Sequence, residues 1–274
     1  MSTLKTLLVH VDSSPRAAVR LKLGEQLALA HGAQATAAYA VTSALMRYPM
    51  AMAAGADIAP MLAEVDAQRV EAARKLYAGS VDRAHVAWLE LGGPPIADFT
   101  QQALYADLLV LGQRGADETR DVDVPADFVS SVLIGSGRPA IVVPHIVTGA
   151  VRLGRVLIAW KPTRESARAV TAALPLLLQA SQVTVVSFDE GDSAAGAEAG
   201  IVGYLRQHGV QAGFKREVAS EIDVGDQLLS LAADEQTDLL VMGCYGHGRA
   251  REWALGGATR TVIQSMTIPV LMSH

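Results

Sequence analysis

The sequence predicts an α/β protein of two doubly wound, five-stranded parallel-sheet domains arranged as a pseudo-two-fold tandem repeat. Three observations predict it. The chain repeats itself, apolar strand-like runs alternate with Ala-rich helical patterns, and 274 residues are enough for two compact domains. The clearest repeat pairs Ala106–Gly112 with Thr237–Gly243, which share Asp-Leu-Leu-Val and a closing glycine. Thr6–Asp12 answers to Arg155–Lys161 at an offset of 149 residues, Gly112 to Gly243 at 131, and Pro139 to Pro269 at 130. The fall from 149 to 131 is an insertion of 18 residues in the first copy. It falls in Ser43–Pro60, rich in Ala, Met and Pro, and reads as a cover, a packing surface or a buried helix pair. The copies occupy residues 1–147 and 153–274, joined through the Ile146–Gly154 stretch.

Each element has its own justification. Thr6–Asp12 is continuously apolar before its aspartate, as a parallel strand covered on both faces should be. Ser13-Ser14-Pro15 offers hydroxyls to cap a helix and a proline for its first turn; Gly32 stops that helix after His31. Ala35–Val41 is the second strand, Met61–Tyr77 an amphipathic helix and His85–Leu91 the third strand. Helix Ile96–Tyr105, strand Leu108–Leu111, helix Phe128–Ile134 and strand Ala140–Val143 complete the copy. The second copy places strands near Val156–Ala159, Gln182–Phe188, Phe214–Val218, Leu239–Met242 and Val270–Met272. Such alternation specifies parallel sheets with helices on both faces.

Composition narrows the partners. A net charge of −5 without basic runs argues against nucleic acid, which demands clustered Lys and Arg. No run of about 18 apolar residues suits a membrane span. The start lacks a signal-peptide layout, and Cys244, the single cysteine, excludes a disulfide framework, so the expected setting is the cytoplasm. The seven histidines never reach metal-ligand spacing, so no metal site is expected. Gly135-Ser136-Gly137 reads as a helix end rather than a nucleophile turn.

Ligands of such sheets bind beyond the strands' carboxyl ends. Asp12 and Lys161 follow the first strand of each copy; Gly112–Gly115 and Gly243–Gly248 follow the fourth. Glycines there let main-chain N–H groups approach a ligand, and Gly256-Gly257-Ala258-Thr259 opens a helix whose amino end suits phosphate. Arg249, Arg251 and Arg260 could add charge.

These residues resemble the universal stress proteins in their tandem form. The resemblance rests on Gly-x2-Gly-x9-Gly-Ser/Thr after the fourth strand with an Asp after the first, and covers almost the whole chain. It implies the adenine nucleotide alpha hydrolase-like fold and pairing through the fifth strands. In a tandem chain that pairing is met within the chain as a pseudo-dimer, which leaves room for a homodimer. It also implies an adenine nucleotide, ATP foremost, with magnesium as an accompanying ion. The aspartate would meet the ribose, the second strand's end the adenine, and the glycine loop the phosphates. The signature is split. The second copy keeps Gly243, Gly246 and Gly256 but has Gly257 for the hydroxyl residue and Lys161 for the aspartate. The expected site is therefore Trp160, Lys161, Phe188, Gly243, Gly246, Gly248, Gly256, Gly257, Ala258 and Thr259. The first copy keeps Asp12, Val41, Gly112 and Gly115 as weaker candidates, because Ala126 and Asp127 replace Gly-Ser and a carboxylate there would repel phosphate. The expectation is a stress-response protein with a regulatory nucleotide in its second domain. The alternative is a non-nucleotide, partner-binding scaffold with both sites decayed. Glu252 is the one carboxylate near the preferred loop, so catalysis is expected to be absent or at most very slow ATP hydrolysis.

Overall fold

The structure is a computed structural model describing residues 4–47, 58–115, 123–188, 193–218, 223–246 and 257–274. The chain forms two compact units, Leu4–Ser136 and Gly137–His274.

The first unit holds β1 (Thr6–Val11), α1 (Ala17–His31), β2 (Gln34–Tyr39), α2 (Ala44–Arg47), α3 (Ala59–Ser80), β3 (Val86–Glu90), α4 (Pro95–Ala103), β4 (Leu108–Gly112) and α5 (Phe128–Ser136). Its strands run in the order β3-β2-β1-β4, with every pair parallel. β1 and β4 are buried almost throughout, which is why their sequences are largely apolar, with His10 the buried polar exception in β1. Gly32 adopts φ +60°, and its N–H returns to the Ala28 carbonyl, so it ends α1 as expected. Gly137, at φ +62°, follows α5, while Ser136 Oγ donates to the Val132 carbonyl; the Gly-Ser-Gly run is a helix end. The expected hydroxyl cap of α1 is absent: Ser13 and Ser14 serve aspartates instead. Of the insertion, α2 and the start of α3 are described; both Asp66 oxygens accept the Ala44 N–H, at 2.8 and 2.9 Å, and so tie α3 to the start of α2.

The second unit holds β5 (Ala140–Val143), β6 (Arg155–Ala159), α6 (Arg164–Leu177), β7 (Gln182–Ser187), α7 (Ser193–Gln207), β8 (Gly213–Arg216), α8 (Val224–Asp234), β9 (Leu239–Gly243), α9 (Ala258–Ser265) and β10 (Val270–Ser273). Here β10-β9-β6-β7-β8 is parallel throughout. β5 joins antiparallel to β10, with Val142 opposite Val270 and Ala140 opposite Met272. The fifth strands of the two sequence copies thus pair with each other, and the boundary between compact units falls before β5. Among the described residues, no helix is long and apolar enough to cross a membrane.

Candidate functional site

In the first unit, β1 and β4 are neighbours joined by a crossover, and their carboxyl ends flank the point where the winding reverses. A cavity of about 370 Å³ opens there. Asp12, Arg16, Arg20, Arg69, Arg114 and Asp123 line it, giving four guanidinium groups against two carboxylates among the described residues, while Pro125 and Phe128 give it an apolar wall.

Arg20 belongs to the inward stripe of α1, with Ala17, Leu21, Gly24 and Ala28, and is itself only 4% exposed. A buried guanidinium must be paired, and it is. Its Nη2 lies 2.7 Å from Asp12 Oδ2, and its Nε donates to the His10 carbonyl at 2.9 Å. Asp12 Oδ1 accepts the Ser14 N–H and Oγ–H, at 2.9 and 2.6 Å. Burial pushes the Asp12 carboxyl up, but Arg20, His10 and the Ser14 hydrogen bonds outweigh it and hold it below the usual range. Asp12 therefore stands as half of an ion pair. Gly112 serves the same pair, since a Cβ there would collide with Arg20 Nη1.

His10 lies beneath, between Phe99 and Phe128, with ring centroids at 5.4 and 4.3 Å and Nε2 2.9 Å from the Ala40 carbonyl. Burial, reinforced by Arg20, brings its pKa down to about 4, so the ring is neutral at pH 7. Asp123 closes another side: it accepts the Ser13 N–H at 3.3 Å and the Ser13 hydroxyl, and its carbonyl accepts the Thr42 N–H at 2.6 Å. Burial raises the Asp123 carboxyl, Ser13 opposes that, and Asp12 adds to it. Asp127, which the sequence sets against phosphate, is exposed and accepts from Ser131 Oγ on its own helix; Ala126 lines the cavity and Asp127 does not. Val41 is half-buried and Gly115 buried, and both stand outside the lining.

The second unit treats the equivalent place differently. Glu165, in the first turn of α6, is 3% exposed. A Cβ on Gly246 would stand 2.7 Å from Glu165 Oε2, and one on Gly243 would stand 2.5 Å from the Ser166 nitrogen and 2.9 Å from Glu165 Cβ. Both glycines therefore make room for the first turn of α6 and its carboxylate. Burial pushes the Glu165 carboxyl up, but the hydrogen bonds from Arg164, the backbone and Thr163 prevail and keep it low, hence ionised. Lys161 is exposed. Trp160 is half-buried, with its N–H on the Val186 carbonyl, and its indole Nε1 has no hydrogen-bond partner among the described residues. Phe188, Gly257 and Ala258 are half-buried and Thr259 is buried at the start of α9. Gly248 and Gly256 lie outside the described residues, as do Arg249, Arg251 and Glu252.

Sequence reasoning passed over Arg16, Arg20, Arg69 and Glu165. One signal was available: at the repeat offset of 149, Asp12 answers to Lys161 and Arg16 to Glu165, so the two copies carry opposite charges at both positions.

Residues 153–274 match the family model described as the universal stress protein family. A stretch of 64 residues is 41% identical to a universal stress protein of Synechocystis sp.. That stretch is 22% of this chain and 22% of the relative's length. A crystal structure of a universal stress protein from Archaeoglobus fulgidus superposes with a TM-score of 0.74 at 15% identity, over 98% of this chain and 97% of that one. A functionally unknown protein from Pseudomonas aeruginosa gives a TM-score of 0.59 at 13% identity, over 98% and 92% of the two chains. At such identities the likeness is one of fold.

Proposed function

The chain belongs to the universal stress protein family, and from that premise we propose that it binds an adenine nucleotide as a regulatory ligand in the stress response, in the cavity of its first unit. The observation that carries this reading is the arginine-rich lining at the carboxyl ends of β1 and β4, with Asp12 already neutralised by Arg20. Guanidinium groups suit phosphate because their N–H forks form charge-assisted, paired hydrogen bonds. The apolar wall of Pro125 and Phe128 offers a surface to a base or sugar. A volume of about 370 Å³ lies toward the small end of ligand pockets, which favours a compact nucleotide over a fully extended triphosphate. In the second unit Glu165, ion-paired with Arg164, already packs against Gly243 and Gly246, so the space beside those glycines is taken. The second unit then serves the fold more than the ligand. Magnesium would arrive as the phosphate's own counter-ion: among the described residues no three His, Cys, Asp or Glu form a group able to hold it. The setting proposed for this role is the cytoplasm.

Calorimetry on the whole chain with AMP, ADP and ATP tests the reading. One equivalent should bind; Arg16→Glu should weaken it at least tenfold, and Glu165→Gln should leave it within twofold. No heat at millimolar nucleotide, or a loss caused by Glu165→Gln alone, contradicts it.

A further inference from the structure

We infer that Arg69, on the helix that follows the first copy's insertion, is the residue that selects the anionic group of the ligand in the first-unit cavity; this rests on the nucleotide reading of that cavity. Arg69 lines the cavity from α3. Its Nη1 is buried and has no hydrogen-bond partner among the described residues. Two carboxylates attract it without completing it. Asp123, across the same cavity, already accepts from Ser13. Asp66 Oδ1 forms an ion pair at 3.6 Å, too far for a hydrogen bond, while both Asp66 oxygens accept the Ala44 N–H. A buried cationic N–H without an acceptor is costly, and native structures rarely leave one without a reason. An oxygen of a phosphate or carboxylate entering the cavity would complete it.

Arg20 cannot take that part. Its Nη2 is held by Asp12 and its Nε by the His10 carbonyl, so its guanidinium belongs to the wall. Arg69 instead reaches the site from outside the β1–β4 frame that carries the family signature. The corresponding helix of the second copy, α7, carries its basic residue in its last turn, at Arg206. The anion-selecting group is therefore a property of the first copy alone.

The test compares adenosine with AMP on the full-length chain by calorimetry, in wild type, Arg69→Ala and Arg69→Lys. Wild type should bind AMP at least tenfold more tightly than adenosine. Arg69→Ala should bring that ratio to within threefold of one and leave adenosine affinity within twofold. Arg69→Lys, which keeps charge but loses the fork, should fall between. An AMP-to-adenosine ratio unchanged in Arg69→Ala overturns the inference while leaving the nucleotide reading intact. Should Arg69→Ala fail to fold, as judged by circular dichroism, Arg69→Lys decides: a ratio lowered at least threefold supports the inference and an unchanged ratio overturns it. If wild type binds neither nucleoside nor nucleotide, the nucleotide reading falls, and inorganic pyrophosphate decides the rest. Arg69-dependent pyrophosphate binding then upholds the anion role, and its absence removes that too.

Discussion

His10 shows how a single buried side chain sets a pH dependence. Its folded pKa of about 4 lies below the ordinary 6.5, so the unfolded chain takes up the proton first as the solution is acidified. The stabilisation from keeping His10 neutral is complete above pH 6.5 and is lost as pH falls toward 4, by about 3 kcal/mol in all. Asp12 has the carboxylate's version of the same sign: its contribution holds above its unfolded value and fades as pH falls through its lower folded one. Between pH 6.5 and 5 the histidine therefore dominates. Urea denaturation should show wild type losing stability across that window, with His10→Gln markedly flatter; equal slopes would contradict the assignment. Asp12 was legible in the sequence because it ends an apolar strand at a position where ligands gather. Arg20 was not, because a helix rich in Ala and Leu hides one arginine. Its place on the Ala17–Leu21–Gly24 stripe was the clue, since a cation on an inward stripe needs a buried partner.

At the level of elements, the spacing of Gly243 and Gly246 signals a close approach to the backbone. Glycine spacing reports that something comes near the backbone; it does not say what. Here the first turn of α6 comes near. The two glycines differ in what a methyl group would strike: backbone at Gly243, the end of a flexible carboxylate at Gly246. Gly243→Ala should cost about 2–3 kcal/mol, as overpacking against an immovable neighbour does, and Gly246→Ala less than about 1 kcal/mol. Adding Glu165→Ala should recover Gly246→Ala and leave Gly243→Ala unrelieved, measured by thermal unfolding. The helix stops at Gly32 and Gly137 were readable for a different reason: a positive φ is a local requirement, visible in the residue type itself. The caps expected of Ser13 and Ser14 failed because two carboxylates, Asp12 and Asp123, are stronger acceptors and stand within reach.

For the molecule as a whole, the repeat was the most legible feature, since matching strand–glycine segments imply two copies of one α/β unit, while strand order and register became visible only in the structure. What the repeat concealed is the inequality of its copies. Lys161 and Glu165 reverse the charges of Asp12 and Arg16, and only the first copy gains Arg69 from the helix after its insertion. A pattern match scores the retained glycines and so favours the second copy. We favour the first, because arginines line an open cavity there, whereas in the second Glu165 packs against the glycines. Photolabelling the full-length chain with 8-azido-AMP, with and without excess AMP, and mapping the labelled peptides puts the question most directly. Competable label on peptides from Leu4–Ser136 is the predicted result, and label confined to Gly137–His274 would contradict it.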